Sequence, residues 1–203
     1  MTKTREFSDT REHLLATGEA VFRGKGFTAV GLTEILAIAG VPKGSFYHYF
    51  RSKEGFGVEM LTRYFSQYDE ELKAMLIDAP GNGRERLLHY FGRWASRCDY
   101  GAAQAQATAC LAVKLSAEVS DLSEPMREVL LEGMDQVPRR LTQALMLAHE
   151  DGSISTALQP DELANALYQL WVGAELLTKV RRDGQSFACA LKQTQVWLSP
   201  VNP

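Results

Sequence analysis

The sequence predicts an all-α protein. Apolar residues recur at spacings of three and four through nearly the whole chain, and alternating strand-like runs are almost absent. A single Pro/Gly cluster, Pro80-Gly81-Asn82-Gly83, forms the clearest internal break. With 203 residues, 45% of them hydrophobic and 23% charged, the chain can bury a substantial core and has the composition of a folded protein rather than a disordered one. Its length allows one domain, or a small module joined to a larger one.

The elements follow in order. A first helix from about Asp9 carries Leu14, Gly18, Val21 and Phe22 on one face and runs into Gly24 and Gly26, residues suited to a helix end. Thr33 is a candidate cap for a short helix to Ala39, with Ile35 and Ala39 one turn apart. Gly40-Val41 breaks it. Pro42 can then open a second short helix, Lys43 to Phe50, after a turn of helix-turn-helix type. Val41, Phe46 and Phe50 should face inward, which leaves Lys43, Ser45, Tyr47, His48 and Tyr49 outward or sideways. Ser52 can cap a long fourth helix with Phe56, Met60, Tyr64, Tyr68, Leu72 and Met75 on its inner face, ending before Pro80. Further helices are expected at roughly 84 to 98, 104 to 120, from near Pro125, at roughly 160 to 180 and at roughly 185 to 198.

Composition excludes several classes of function. No uncharged apolar run reaches the ~20 residues a membrane helix needs, and the N-terminal residues lack the apolar stretch of a secretion signal, so a cytoplasmic protein without membrane contact is expected. Cys98, Cys110 and Cys189 are an odd, widely spaced set without metal-site doublets, which argues against a disulfide framework or a zinc site. No metal and no cofactor is expected. His13 beside Glu12, and the isolated His89 and His149, have no acid–base motif around them, so no catalytic residue is assigned and no enzyme is expected. The net charge of −3 is unevenly placed: residues 1–60 carry eight Lys/Arg against seven Asp/Glu, so any contact with an anionic polymer belongs there. A local basic face suffices for it, because charges beyond about 8 Å are screened at physiological salt.

Taken alone, Phe46-Tyr47-His48-Tyr49-Phe50 reads either as core aromatics or as a face whose hydroxyl and imidazole tips donate to phosphates along a groove. Its context decides. Gly40-Val41-Pro42-Lys43-Gly44-Ser45-Phe46-Tyr47-His48-Tyr49-Phe50-Arg51-Ser52-Lys53-Glu54, with Leu32-Thr33-Glu34-Ile35 before it, closely resembles the signature of the TetR family of transcriptional repressors. The resemblance implies a three-helix DNA-binding domain at 1–56, joined through a long helix to a helical effector-binding and dimerisation domain at 57–203. It gives DNA-contact roles to Thr33, Lys43, Ser45, Tyr47, His48, Tyr49 and Lys53. Base contacts are expected from Lys43, Ser45 and Tyr47, and phosphate contacts from Tyr49 and Lys53. Gly44 would clear side-chain bulk where the helix start approaches DNA. The implied partners are double-stranded operator DNA, a second copy of the chain and a small-molecule effector.

By the same resemblance the last two long helices form the dimer interface. Their apolar stripes, Leu163, Leu167, Leu170, Trp171, Ala174 and Leu177 on one and Phe187, Ala188, Leu191 and Leu198 on the other, fit that role, although packing within one subunit explains them equally. A further segment, Ala109 to Val119 with Asp121 to Glu124, is similar to the central helix of electrophile-responsive members of the family, which makes Cys110 by position the sensing thiol. Lys114, one turn on, can favour the thiolate, and Lys179 can supply a second cation. The plain alternative for Cys110 is a small core residue. Cys98 continues the apolar face of Leu87, Phe91 and Trp94, which fits packing. Release by a non-covalent ligand, a constitutive DNA binder and a thiol-dependent enzyme are the competing readings.

Overall fold

The computed structural model describes residues 2–96, 110–155 and 159–200. Among the described residues there are nine α-helices and no strand, so the all-α expectation holds. The helices are α1 (Thr2–Lys25), α2 (Leu32–Ala39), α3 (Lys43–Tyr49), α4 (Lys53–Lys73), α5 (Gly83–Ala95), α6 (Leu111–Val119), α7 (Glu124–Glu150), α8 (Pro160–Arg181) and α9 (Gln185–Trp197). A π-helical turn, Ala74–Asp78, continues α4. Cys98, and residues 104–109 of the helix expected at 104 to 120, lie outside the described residues.

Local chemistry sets these boundaries. Gly40 adopts a left-handed φ of 65° that a side chain would strain, and its N–H returns to Ala37 O, closing α2. Ser52 caps α4 as expected, its Oγ accepting from Gly55 N at 2.9 Å. Asn82 and Glu85 form a reciprocal capping box at the start of α5, a helix-start signal inside the Pro/Gly cluster. Thr33 is not a cap. Gly31, extended and without a side-chain bond, occupies that position, and Thr33 stands exposed in the first turn of α2.

The chain forms two compact units, Met1–Ser66 with Ala109–Gly133, and Gln67–Thr108 with Met134–Pro203. In the first, the fully buried Phe22, Phe46, Phe50 and Phe56 make an aromatic cluster, with Phe56 at 6.2, 5.4 and 4.9 Å from the other three ring centroids. Burying each ring is worth about 1.5–3 kcal/mol. This is what anchors α3 to α1 and α4. The first unit also contains α6, whose Leu111, Leu115 and Val119 are fully buried.

In the second unit, Trp171 of α8 stacks on Phe91 of α5 at 5.0 Å and on Phe187 of α9 at 5.8 Å, and its indole N–H donates to Thr194 Oγ1 at 2.9 Å. In the single chain most of the residues expected at the dimer interface are taken up by its own core. Leu163, Leu167 and Trp171 are 0% exposed, Phe187 3% and Ala174 5%, all within the chain's own core, while Leu170 and Leu191 pack against the same cluster. A side chain with no exposed surface has none left to bury against a second copy. What α8 and α9 leave outside is Leu176, Leu177, Val180 and Val196.

Candidate DNA-reading helix and thiol site

The α3 helix presents side chains in rows one turn apart. Phe46 and Phe50 point into the aromatic cluster, and the opposite surface carries Lys43 with Tyr47 and Gly44 with His48, all exposed. The Lys43 ammonium lies 5.9 Å from the centre of the Tyr47 ring, and that ring sits edge-on to Phe46. Ser45 and Tyr49 form a third, half-buried row, with Tyr49 against His48 and Phe50. A Cβ built at Gly44 would meet no atom within 4 Å, so the fold itself does not require glycine there. The surface therefore offers a cation, three hydroxyls, an imidazole and a bare backbone on one short helix, the donor set that groove and phosphate recognition uses.

Lys53 is placed differently from its expected role as a phosphate anchor. Its Nζ donates to Phe27 O at 2.6 Å and lies 4.3 Å from the centre of the Phe27 ring. Burial holds the ammonium below the ordinary lysine value, with Glu118 opposing that shift. In this structure Lys53 fastens the turn after α1. Thr33 keeps an exposed hydroxyl near the start of α2.

Cys110 is the N-cap of α6, half-buried, with Sγ 3.8 Å from the Tyr64 hydroxyl of α4. The Tyr64 ring in turn lies 5.5 Å from the Arg23 guanidinium of α1, so the thiol stands where α1, α4 and α6 meet. Lys114 makes a bond that its spacing from Cys110 did not foretell: its Nζ donates to Gly24 O at 2.5 Å, near the C-terminal end of α1. Lys179 lies exposed in the last turn of α8, in the second unit, and Cys189 is exposed on α9. Sequence reasoning missed Glu118. Its carboxylate accepts from Phe27 N at 3.0 Å, Thr28 N at 2.5 Å and the Thr28 hydroxyl. Burial works to raise its pKa, but those three donors and the Lys114 charge outweigh it and hold the carboxyl below its usual value. The available signal was the four-residue spacing Cys110, Lys114, Glu118, which puts all three on one helix face. Among the described residues no group of His, Cys, Asp and Glu could hold a metal ion, and no helix is long and apolar enough to cross a membrane.

A short helix anchored by aromatics on its inner side, following a glycine turn and presenting a polar, cationic outer face, defines a helix-turn-helix transcriptional regulator. Comparison with known proteins agrees in both parts of the chain. Residues 14–60 match the bacterial regulatory proteins of the tetR family, and residues 83–194 match the tetracyclin repressor-like C-terminal domain. The chain belongs to the TetR family. It is 46% identical over 184 residues to the HTH-type transcriptional repressor NemR of Escherichia coli K12, covering 90% of each protein. To the HTH-type transcriptional repressor DhaR of Mycobacterium sp. GP1 it is 35% identical over 173 residues, covering 85% of this chain and 84% of that one. The crystal structure of E. coli NemR in its reduced form matches with a TM-score of 0.90 at 44% identity, over 96% of this chain and 100% of that chain.

Proposed function

We propose that this TetR-family protein is a repressor that binds a palindromic double-stranded operator as a homodimer through α3, and leaves it when a reactive electrophile or oxidant modifies Cys110. The observation that carries the DNA-binding part is the exposed Lys43, Gly44, Tyr47 and His48 surface held rigid by Phe46 and Phe50. Such a surface leaves cationic and hydroxyl groups facing solvent. A two-fold axis would set two copies of α3 in successive major grooves, about 34 Å apart.

Support for the sensing part comes from the position of Cys110 inside the same compact unit as α3, and from the similarity to NemR, whose solved structure is described as a reduced form. An adduct on the sulfur would alter its contact with the Tyr64 hydroxyl, 3.8 Å away. The typical coupling of allosteric sites, about 1–3 kcal/mol, corresponds to about 5- to 150-fold in affinity, enough to release DNA.

The test is an operator titration on a duplex that the protein itself selects from a random pool, before and after treatment with a maleimide or hypochlorite. Wild type, Cys98→Ser and Cys189→Ser should lose affinity on treatment, and Cys110→Ser should bind and stay bound. A Cys110→Ser variant that binds operator and is released as fully as wild type would remove Cys110 from the reading. Release only by an unreactive ligand would replace it with a non-covalent effector.

A further inference from the structure

We propose that Tyr64 makes Cys110 selective for electrophiles whose attacked carbon is conjugated to a carbonyl group: the Tyr64 hydroxyl stands where it can hold the carbonyl oxygen as that oxygen takes up negative charge. This rests on the proposed sensing role of Cys110, and it names the class of electrophile the thiol takes and the residue that selects it.

The pair is placed by side chains of one compact unit. Cys110 precedes the first turn of α6 and is half-buried, so part of it stays open to a small molecule. Tyr64 of α4 brings its Oη to 3.8 Å from the sulfur. That is long for a hydrogen bond, and it leaves the hydroxyl able to turn to a nearer oxygen. The ring itself is held. The Arg23 guanidinium lies 5.5 Å from its centre, and Phe65 packs edge-on at 5.1 Å. Arg23 is fixed in turn by Glu19, which accepts from it at 2.8 Å and from Arg63 at 2.7 Å on the other oxygen. Phe65 is 4% exposed and lies flat against Gly133, where a Cβ would stand 2.2 Å from the ring. With its ring held in this way, Tyr64 keeps chiefly the rotation of its O–H. The ammonium expected to serve the thiol, that of Lys114, is turned to the Gly24 carbonyl. Tyr64 is the donor group that the fold sets beside the sulfur.

The reaction this geometry favours is conjugate addition. The thiol gives its proton to water, the sulfur bonds to the acceptor carbon, and the carbon–carbon π pair moves toward the carbonyl, whose oxygen becomes an enolate oxygen. Water then returns a proton to the carbon beside the carbonyl, so the thiol adds across the double bond with no leaving group. The enolate oxygen is three bonds beyond the attacked carbon, and with bonds of about 1.2–1.5 Å it falls within about 4 Å of the sulfur. A hydroxyl 3.8 Å from the same sulfur can meet it at an O–H···O distance of about 2.5–3.0 Å. A donor already in place where charge develops stabilises the transition state without having to reorganise. An alkyl halide gains nothing from it, because the sulfur displaces halide at a saturated carbon and no oxyanion forms.

The test uses the full-length protein with Cys98→Ser and Cys189→Ser, which leaves Cys110 as its cysteine. Second-order rates of modification at Cys110 are read by peptide mass for N-ethylmaleimide and for methyl iodide. They are measured in this background, in the background with Tyr64→Phe, and for free cysteine at the same pH. Tyr64→Phe removes one oxygen and keeps the ring. It should slow the maleimide about 10-fold, the effect of losing one hydrogen bond to a charged group partly open to water, and leave the methyl iodide rate unchanged. A variant that slows both reagents alike overturns the inference, because the hydroxyl would then act on the sulfur and not on the carbonyl oxygen; so does one that slows neither. Should Tyr64→Phe fold poorly, the comparison with free cysteine decides: the maleimide-to-methyl iodide ratio of the background protein should be higher by about 10-fold, and an equal ratio removes the role of Tyr64. These rates are read without DNA, so they stand apart from the sensing role, which fails if the background protein labelled at Cys110 keeps its operator affinity.

Discussion

At the scale of single residues, the side chains proposed to read DNA were easier to see in the sequence than those that hold their helix in place. The outward set on α3 follows from helical spacing once Phe46 and Phe50 are taken as anchors, and both are buried as that spacing required. The backbone bonds of Lys53 and Lys114 were not foreseen, for one physical reason. A long cationic side chain can reach a backbone carbonyl several ångströms from its own helix, and nothing in the local pattern says which carbonyl will be left open by a neighbouring helix end. Glu118 was missed for the mirror-image reason, since its partners are amides some ninety residues away in sequence. Gly44 gives the sharpest residue-scale prediction. Its surroundings are open, so Gly44→Ala adds a methyl without a clash and gains up to about 1 kcal/mol of helix propensity. Thermal stability should stay level or rise, and operator affinity should fall if the bare backbone is what faces DNA. Paired melting curves and operator titrations check this, and a variant that binds as tightly as the parent would mean that α3 approaches DNA elsewhere.

At the scale of elements, helix existence was legible and helix partnership was not. The period of α1 places Gly18 on the inner face, and the structure supplies the reason for glycine at that position: a Cβ there would stand 2.4 Å from Phe56 Cζ. Phe56 is itself hemmed in by Phe22, Phe46 and Phe50 and has no room to swing aside. Gly18→Ala therefore sets an overpacking cost of about 1–3 kcal/mol against a helix-propensity gain of about 1 kcal/mol. The net expectation is a loss of about 1 kcal/mol, seen as a melting temperature about 2–4 °C lower. A variant as stable as the parent in urea unfolding would show that the α1–α4 contact is looser than the geometry states. The stripes on α8 and α9 illustrate the limit of periodicity. Spacing reveals which face of a helix is apolar, but one chain's core and a two-chain interface demand the same spacing, so Trp171 and Phe187 could not be assigned to either from the sequence.

At the scale of the whole molecule, the same ambiguity directs the dimer prediction to the apolar residues of α8 that stay exposed in the single chain. In the single chain Val180 is 81% exposed, Leu176 47% and Leu177 46%, and the three lie within one turn of α8. Apolar side chains clustered on one helix surface have area to bury against a second copy, which Trp171 does not. This yields a prediction that separates assembly from folding. Val180→Asp or Leu176→Asp places a carboxylate where the single chain leaves solvent, so each subunit should melt as before. Trp171→Asp would bury that charge in the core and unfold it. In an isologous dimer each substitution is met twice, once from each copy. Two unpaired carboxylates at about 1.4 kcal/mol each would weaken assembly roughly 100-fold. Sedimentation at micromolar concentration should show wild type as a dimer and Val180→Asp shifted toward monomer, with an unchanged helical spectrum. Operator affinity should fall with it, because two half-sites are held by one particle only while the copies stay joined. A wild-type monomer would overturn the homodimer, and a Val180→Asp protein that still sediments as a dimer would move its contact away from the end of α8.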